Sequence, residues 1–249
     1  MHINKKIKIL FEKLTGLYVY RTLPRGIEFF RDLSISLPEY KLETVFDVGA
    51  HIGESAYLFL KKFPEVRLFC FEPASVNFIR LQKLVKGYKN VECLKIALDS
   101  EIKTGWISIN GHHDMFHLID EHITHGENLD SVVEKVAITT IDNFCVENKI
   151  DKISYLKIDT EGADLEVLKG ATKFLSEQKI DFIQVEASMN PMNKHHIKLE
   201  AFKEFLESYN YFLFGLYEQM NEWIEKKINL RRTNPVFVSM KMIESYRGK

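Results

Sequence analysis

Carboxylates that close apolar runs are the residues through which this sequence could do chemistry. The first is Asp47, in Val45-Phe46-Asp47-Val48-Gly49-Ala50-His51-Ile52-Gly53-Glu54. There an apolar run ends in an acid, turns through two glycines and opens a helical pattern. Glycines at such a turn let the backbone come close to a ligand where a Cβ would obstruct it. The second is Glu72, which ends Phe69-Cys70-Phe71-Glu72-Pro73, 23 residues beyond Gly49. A carboxylate roughly 20 residues past a glycine turn can accept hydrogen bonds from two ribose hydroxyls. Asp159 then ends Ser154–Asp159, Glu161 follows it, and Glu186 ends Asp181–Glu186 in the same relative position. Three carboxylates converging at one sheet edge could position a hydroxyl, raise one another's pKa or hold a divalent cation.

The glycine spacing is not G-x-G-x-x-G, which weakens a dinucleotide reading that needs a pyrophosphate on several close amides. Asp47 separates the alternatives further. An acid beside the turn repels a pyrophosphate but suits a cofactor carrying an amino group and a sulfonium, which is S-adenosylmethionine. The expected cofactor residues are Asp47, Gly49, His51, Gly53, Glu72 and Pro73. Ala97, in Ile96-Ala97-Leu98-Asp99 at the end of the third run, would lie by the adenine edge. The plainer alternative makes Asp47 a cap on the turn and Glu72 a surface acid.

Such side chains need a scaffold, and the rhythm of the chain supplies one. Apolar runs at Thr44–Gly49, Arg67–Phe71, Val91–Leu98, Ser154–Asp159, Asp181–Glu186, Tyr209–Leu216 and Pro235–Met240 read as strands. Helical patterns at Glu54–Phe63, Ser75–Gly87, Asp164–Gln178 and His195–Ser208 lie between them. Alternating strand and helix with continuous apolar strands predicts an α/β fold with a Rossmann-like, doubly wound, mostly parallel seven-stranded sheet. Residues 1–40 form a helical extension, with Ile3, Ile7, Leu10, Phe11 and Leu14 at helical spacing, expected to cap the main domain of residues 41–249. Docking to a partner subunit or a membrane interface is the other reading of that face. Residues 104–140 break the rhythm and read as an acceptor-side insertion, with Trp106–Asn110 and Val136–Ile141 alternating like antiparallel strands.

Bulk numbers narrow the classes. Lys plus Arg total 34 against 35 Asp plus Glu, so nothing draws the chain to nucleic acid in general. Cys70, Cys93 and Cys145 are far apart and odd in number, which fits reduced thiols and a cytoplasmic setting. Lys8, Glu12 and Lys13 interrupt any signal-like apolar stretch, and no window reaches the roughly 18 apolar residues of a membrane span. The partner expected is a small molecule or a glycan, with no nucleic acid and no membrane span; homo-oligomerisation is left open.

These residues, with those downstream, resemble the FkbM family of S-adenosylmethionine-dependent methyltransferases. The resemblance rests on Val45–Gly53, Phe71-Glu72-Pro73, Thr140-Ile141-Asp142-Asn143-Phe144, Lys157-Ile158-Asp159-Thr160-Glu161-Gly162, Val167-Leu168-Lys169-Gly170-Ala171 and Val185-Glu186. The Lys157–Gly162 block is its most specific part. The chain departs from the family pattern at His51 for Asn, Ile141 for Leu and Asp164 for Glu, and its Gly111–His117 stretch is individual. The resemblance implies a class I methyltransferase fold and O-methylation, typically of sugar or natural-product hydroxyls.

Methyl transfer from a sulfonium is an in-line displacement that must place an acceptor oxygen and remove its proton. Asp159, Glu161 and Glu186 are the expected acceptor-side acids. A Mg²⁺ on Asp159 and Glu186, chelated by an acceptor diol, is one way they could act; starting the following helix is the bland alternative for Glu161 and Asp164. Five of nine histidines fall between His112 and His125, and His112 and His113 are the favoured base candidates. Zinc is disfavoured because no cysteine accompanies them. Arg231 and Arg232 could meet an anionic acceptor. Competing functions are methylation of protein or nucleic acid, nicotinamide-dependent oxidoreduction, and a non-catalytic nucleoside-binding scaffold. No N-P-P-Y-type loop follows Asp159, which disfavours base methylation.

Overall fold

The structure is a computed structural model that describes residues 5–20, 22–109, 117–119, 132–193, 196–222 and 228–246. Two helices lead in, α1 (Lys5–Thr15) and α2 (Phe29–Ser36). Then β1 (Thr44–Val48), α3 (Glu54–Lys62), β2 (Arg67–Phe71), α4 (Ser75–Leu84) and β3 (Val91–Leu94) alternate. A second group follows: β4 (Ala97–Leu98), β5 (Lys103–Ile109), β6 (His117–Ile119) and β7 (Val132–Thr139). The chain returns through α5 (Ile141–Glu147), β8 (Ile153–Ile158), α6 (Asp164–Lys169), α7 (Thr172–Ser176), β9 (Ile180–Gln184) and β10 (Ala187–Ser188). It finishes with α8 (Leu199–Ser208), β11 (Tyr211–Asn221), β12 (Leu230–Ser239) and α9 (Met240–Ser245).

The main sheet runs β10-β12-β9-β8-β1-β2-β3, with β11 also paired to β12. Strands β3, β2, β1, β8 and β9 are parallel, and β12 enters antiparallel beside β9. This is a doubly wound, mostly parallel α/β sheet, as the sequence predicts. It has eight strands where seven were expected, because Ala187–Ser188 forms a short strand against Thr233 and Arg232. Successive strand residues face opposite sides, so Val45 and Phe46 enter different cores. Phe46 joins side chains of α5, α6, α7 and α8, including Phe144, Val167, Phe174 and Phe202. Val45 joins those of α2, α3, α4 and α9, including Leu33, Phe59, Leu81 and Met242. Covering on both faces is why these strands read as unbroken apolar runs.

Several elements differ from the sequence expectation: α8 begins at Leu199 rather than His195, and β12 at Leu230 rather than Pro235. Val91–Leu98 is two strands, since the chain leaves β3 after Leu94 and Ala97–Leu98 pairs with Ile138 and Thr139 of β7. The expected helix over Asp164–Gln178 divides at Gly170-Ala171 into α6 and α7. The insertion builds its own four-stranded sheet, β4-β7-β5-β6, in which β5 is antiparallel to β6 and β7. Helix α2 packs into the core through Phe29 and Leu33, but the apolar face of α1 is exposed, so α1 does not cap the domain.

Candidate active site

The carboxyl edge of the parallel strands gathers the expected residues. Asp47 and Lys157 are register partners on β1 and β8, and Asp159 follows the end of β8. Lys157 Nζ lies 3.4 Å from Asp47 Oδ1 and 3.2 Å from Asp159 Oδ2. One ammonium therefore serves two carboxylates. Asp47 is fully buried, and among the described residues neither of its oxygens has a hydrogen-bond partner; Lys157 is within ion-pair range only. Burial pushes its carboxyl above the usual range, against the pull of Lys157. Burial opposes ionisation of Asp159 too, yet Lys157 holds its carboxyl below the usual range. Burial alone would depress Lys157, but Asp47 and Asp159 reverse that and keep it charged.

The glycine turn is held in place by backbone contacts. Gly49 and Ala50 donate to the carbonyl of Phe71 at 3.0 Å each, so the end of β1 is tied to the end of β2. Gly49 has φ +78°, and a Cβ there would stand 1.9 Å from the carbonyl oxygen of Asp159. That glycine is required by the approach of two strand ends to each other. His51 is left-handed, with φ 50°, a conformation that favours the Asn usual at this place in the family. Gly53, with φ +95°, caps α3 against Leu81 of α4. Glu72 closes the turn. Its two oxygens accept from His51 N and Ala74 N, both at 2.9 Å. Burial raises its carboxyl to about 7, more than those amides lower it. Pro73, half-buried, carries the chain from Glu72 to α4. Ala97, expected at the third strand's end, sits in the second sheet with Ala74, Ile107 and Val136.

Farther along the same edge, Glu186 is buried beyond the end of β9, and both of its oxygens are engaged. Arg232 Nη1 contacts Oε1, and His196 Nε2 lies 2.5 Å from Oε2. Asn193 Nδ2 is 2.9 Å from His196 Nδ1. Asn193 Oδ1 lies 3.3 Å from the same Nδ1, so the imidazole bridges Asn193 and Glu186. Glu161 Oε2 is 3.8 Å from the same Nε2. Glu161 occupies a left-handed turn, φ 53°, unusual for a side chain of its size and a conformation that clusters at functional sites. Burial, then the charge of Asp159, raises its carboxyl above the usual range while the side chain stays a third exposed. Asp164 has a different place. Its Oδ2 accepts from Thr160 Oγ1 at 3.0 Å and from Gly162 N at 3.3 Å, so it shapes the turn that presents Glu161.

Thus Asp47, Asp159, Glu161 and Glu186 come together with Lys157, while Glu72 secures the neighbouring glycine turn. His112 and His113 lie outside the described residues. The histidine that reaches the carboxylates is His196, which sequence reasoning missed, having placed it in the helical pattern His195–Ser208; it lies in the loop before α8, which begins at Leu199. Arg232, expected before the last strand, lies within β12. A Mg²⁺ on Asp159 and Glu186 does not fit, because Lys157, Arg232 and His196 already serve those carboxylates. Glu161, Glu186 and His196 do bring one ligand atom each within 4.8 Å of one another. There Arg232 rests on Oε1 of Glu186, and Oε2 is the oxygen that faces His196.

A doubly wound sheet with a glycine turn after its first strand and acids along its carboxyl edge has its ligand crevice where nucleoside cofactors bind. Residues 47–213 match the methyltransferase FkbM domain, and the chain belongs to that family. It is 24% identical over 213 residues to the 2-O-methyltransferase NoeI of Sinorhizobium fredii (strain NBRC 101917 / NGR234), covering 80% of this chain and 83% of that one. It is 26% identical over 167 residues to the hexuronic acid methyltransferase AglP of Haloferax volcanii, covering 64% of this chain and 62% of that one. Among solved structures, the METTL16 MTase domain aligns at 10% identity with a TM-score of 0.49, covering 93% of this chain and 77% of that one.

Proposed function

We propose that this methyltransferase moves a methyl group from S-adenosylmethionine to a hydroxyl oxygen of a small acceptor, a sugar or glycan. The observation that carries the donor is Asp47, a buried carboxylate without a hydrogen-bond partner that shares one lysine with Asp159. The excess negative charge is matched by a ligand with an ammonium and a sulfonium, and it rejects a pyrophosphate. Glu72, beside the turn, keeps lone pairs for two ribose hydroxyls; His51, Gly49, Gly53 and Pro73 shape that pocket. The acceptor class is supported by two relatives, one named a 2-O-methyltransferase and the other a hexuronic acid methyltransferase.

S-adenosylmethionine supplies an electrophilic methyl group whose transfer leaves a neutral thioether. The acceptor hydroxyl must lose its proton as its oxygen bonds to carbon. Glu161 takes that proton, because its raised, partly exposed carboxyl is the best matched to the task. Asp159, kept ionised by Lys157, accepts a hydrogen bond from the acceptor and aligns it. Glu186 holds Arg232 at the rim, where the remaining N–H groups of its guanidinium meet sugar oxygens, and fixes His196 behind it. Calorimetric titration with S-adenosylhomocysteine, and with NAD⁺ in parallel, tests the donor. Only the former is expected to bind, and Glu72→Ala should weaken it at least about tenfold, some 1.4 kcal/mol. Binding of NAD⁺ instead, or of neither ligand to folded protein, would discard the reading.

A further inference from the structure

Ten of the exposed large apolar residues fall between Ile7 and Ile27, a concentration found nowhere else among the described residues. Four of them, Ile7, Leu10, Phe11 and Leu14, stand at positions i, i+3, i+4 and i+7 of α1 and form one stripe. Ile7 is 63% exposed and Leu14 77%. The stripe does not turn toward the domain. After α1 the chain turns at Gly16 and folds back on the helix itself. Gly16 N donates to the Glu12 carbonyl at 2.9 Å, Val19 N donates to Glu12 Oε1 at 2.9 Å, and Lys8 Nζ lies 5.3 Å from the Tyr20 ring centroid. The result is a hook with local order whose apolar residues cover nothing. An 11-residue helix is marginal in water unless its apolar face is buried.

Charge identifies the surface that would bury it. At about 100° per residue, Lys8 falls on one flank of the stripe and Lys13 on the other. Residues 1–21 contain four lysines and one arginine against a single glutamate, while the whole chain carries −1. A basic arm is thus joined to a net acidic body. Two copies meeting stripe to stripe would place the lysines of both together. An anionic bilayer instead offers hydrocarbon to the stripe and phosphates to the lysines on either side, whose stems can reach outward to the headgroups. We propose that α1 and the segment returning over it dock the protein on an anionic lipid surface, lying in the interface without crossing it. No helix among the described residues is long and apolar enough to cross a membrane. The inference is independent of the acceptor assigned above.

Flotation of the full chain with vesicles tests it. Phosphatidylcholine vesicles containing one third phosphatidylglycerol should retain the protein at low salt, and pure phosphatidylcholine about tenfold less. Raising the salt to about 0.5 M should release it. Leu10→Asp with Leu14→Asp, and separately Lys8→Glu with Lys13→Glu, should each lower retention about tenfold, while the thermal midpoint and S-adenosylhomocysteine binding stay as in wild type. Equal retention of wild type and both variants would overturn the proposal, as would no retention on anionic vesicles. So would a concentration-dependent dimer that the Leu10→Asp, Leu14→Asp variant abolishes, since a second copy would then be the occupant.

Discussion

The two edges of the main sheet both carry buried charge, and they differ in how completely it is matched. At the amino edge, Asp181 Oδ2 receives the Tyr40 hydroxyl at 2.7 Å and Lys152 Nζ at 2.7 Å. Ser154 Oγ there accepts from Glu43 N and Thr44 N, at 3.1 and 3.3 Å. Every partner is supplied by the chain, and the cluster ties the segment before β1 to β8 and β9. At the carboxyl edge, one lysine serves Asp47 and Asp159, and Asp47 accepts no hydrogen bond. A satisfied network stabilises a fold, whereas a half-satisfied one is costly until a ligand completes it. The comparison assigns the amino edge to stability and the carboxyl edge to binding.

The largest effect expected of that division is on turnover. Glu161→Gln keeps the size of the side chain and removes its proton acceptor, so kcat should fall about 100- to 10,000-fold. S-adenosylhomocysteine affinity should stay within about twofold, because the role proposed for Glu161 is toward the acceptor. Single-turnover methyl transfer to a sugar acceptor, alongside calorimetry, separates the two. An unchanged kcat would remove Glu161 from the chemistry and leave the turn at φ 53° without a role.

A paired substitution tests the edges directly. Asp47→Asn should weaken S-adenosylhomocysteine about 100-fold, near 2.7 kcal/mol, while leaving the thermal midpoint level or higher. Removing a buried charge that lacks hydrogen bonds relieves the unligated protein. Tyr40→Phe should do the reverse, costing about 1 kcal/mol of stability by stripping a donor from Asp181, with no change in affinity. Denaturant titrations and calorimetry on both variants would break the comparison if the two behaved alike.

What the sequence disclosed follows the same line between local and distant. Asp47, Gly49, Glu72 and Asp159 were legible because each sits where an apolar run stops, and chain spacing alone places them on one edge. His196 was not, and Arg232 was legible only as a contact for an anionic acceptor, although both touch Glu186. One lies in the loop before α8, although the helical pattern reads from His195. The other reaches the edge only because β12 inserts antiparallel beside β9, a pairing that no local pattern encodes. The break after Leu94 was hidden for a related reason: Ala97 and Leu98 are as apolar as β3, and only their pairing with β7 assigns them elsewhere. In α1 the periodicity revealed a face but could not say what covers it.

The smallest effect concerns pH and rests on Glu72. Burial raises its carboxyl to about 7 from an ordinary value near 4.5, so the unligated protein holds a proton there that the unfolded chain releases. The stability attached to that proton is fully present below about 4.5 and lost as pH rises through about 7, at most on the order of 3 kcal/mol. Ribose hydroxyls donate to the ionised form, so binding favours the carboxylate that burial disfavours. S-adenosylhomocysteine affinity should therefore climb about tenfold from pH 6 to a plateau near pH 8. Asp47 contributes to the same shift through its charge, so the control must spare it. Glu72→Gln meets that need: its weaker binding should be flat over the same range in calorimetry. A slope that persisted in Glu72→Gln would move the titrating group to Asp47 or Glu161 and leave Glu72 as a brace between His51 and Ala74.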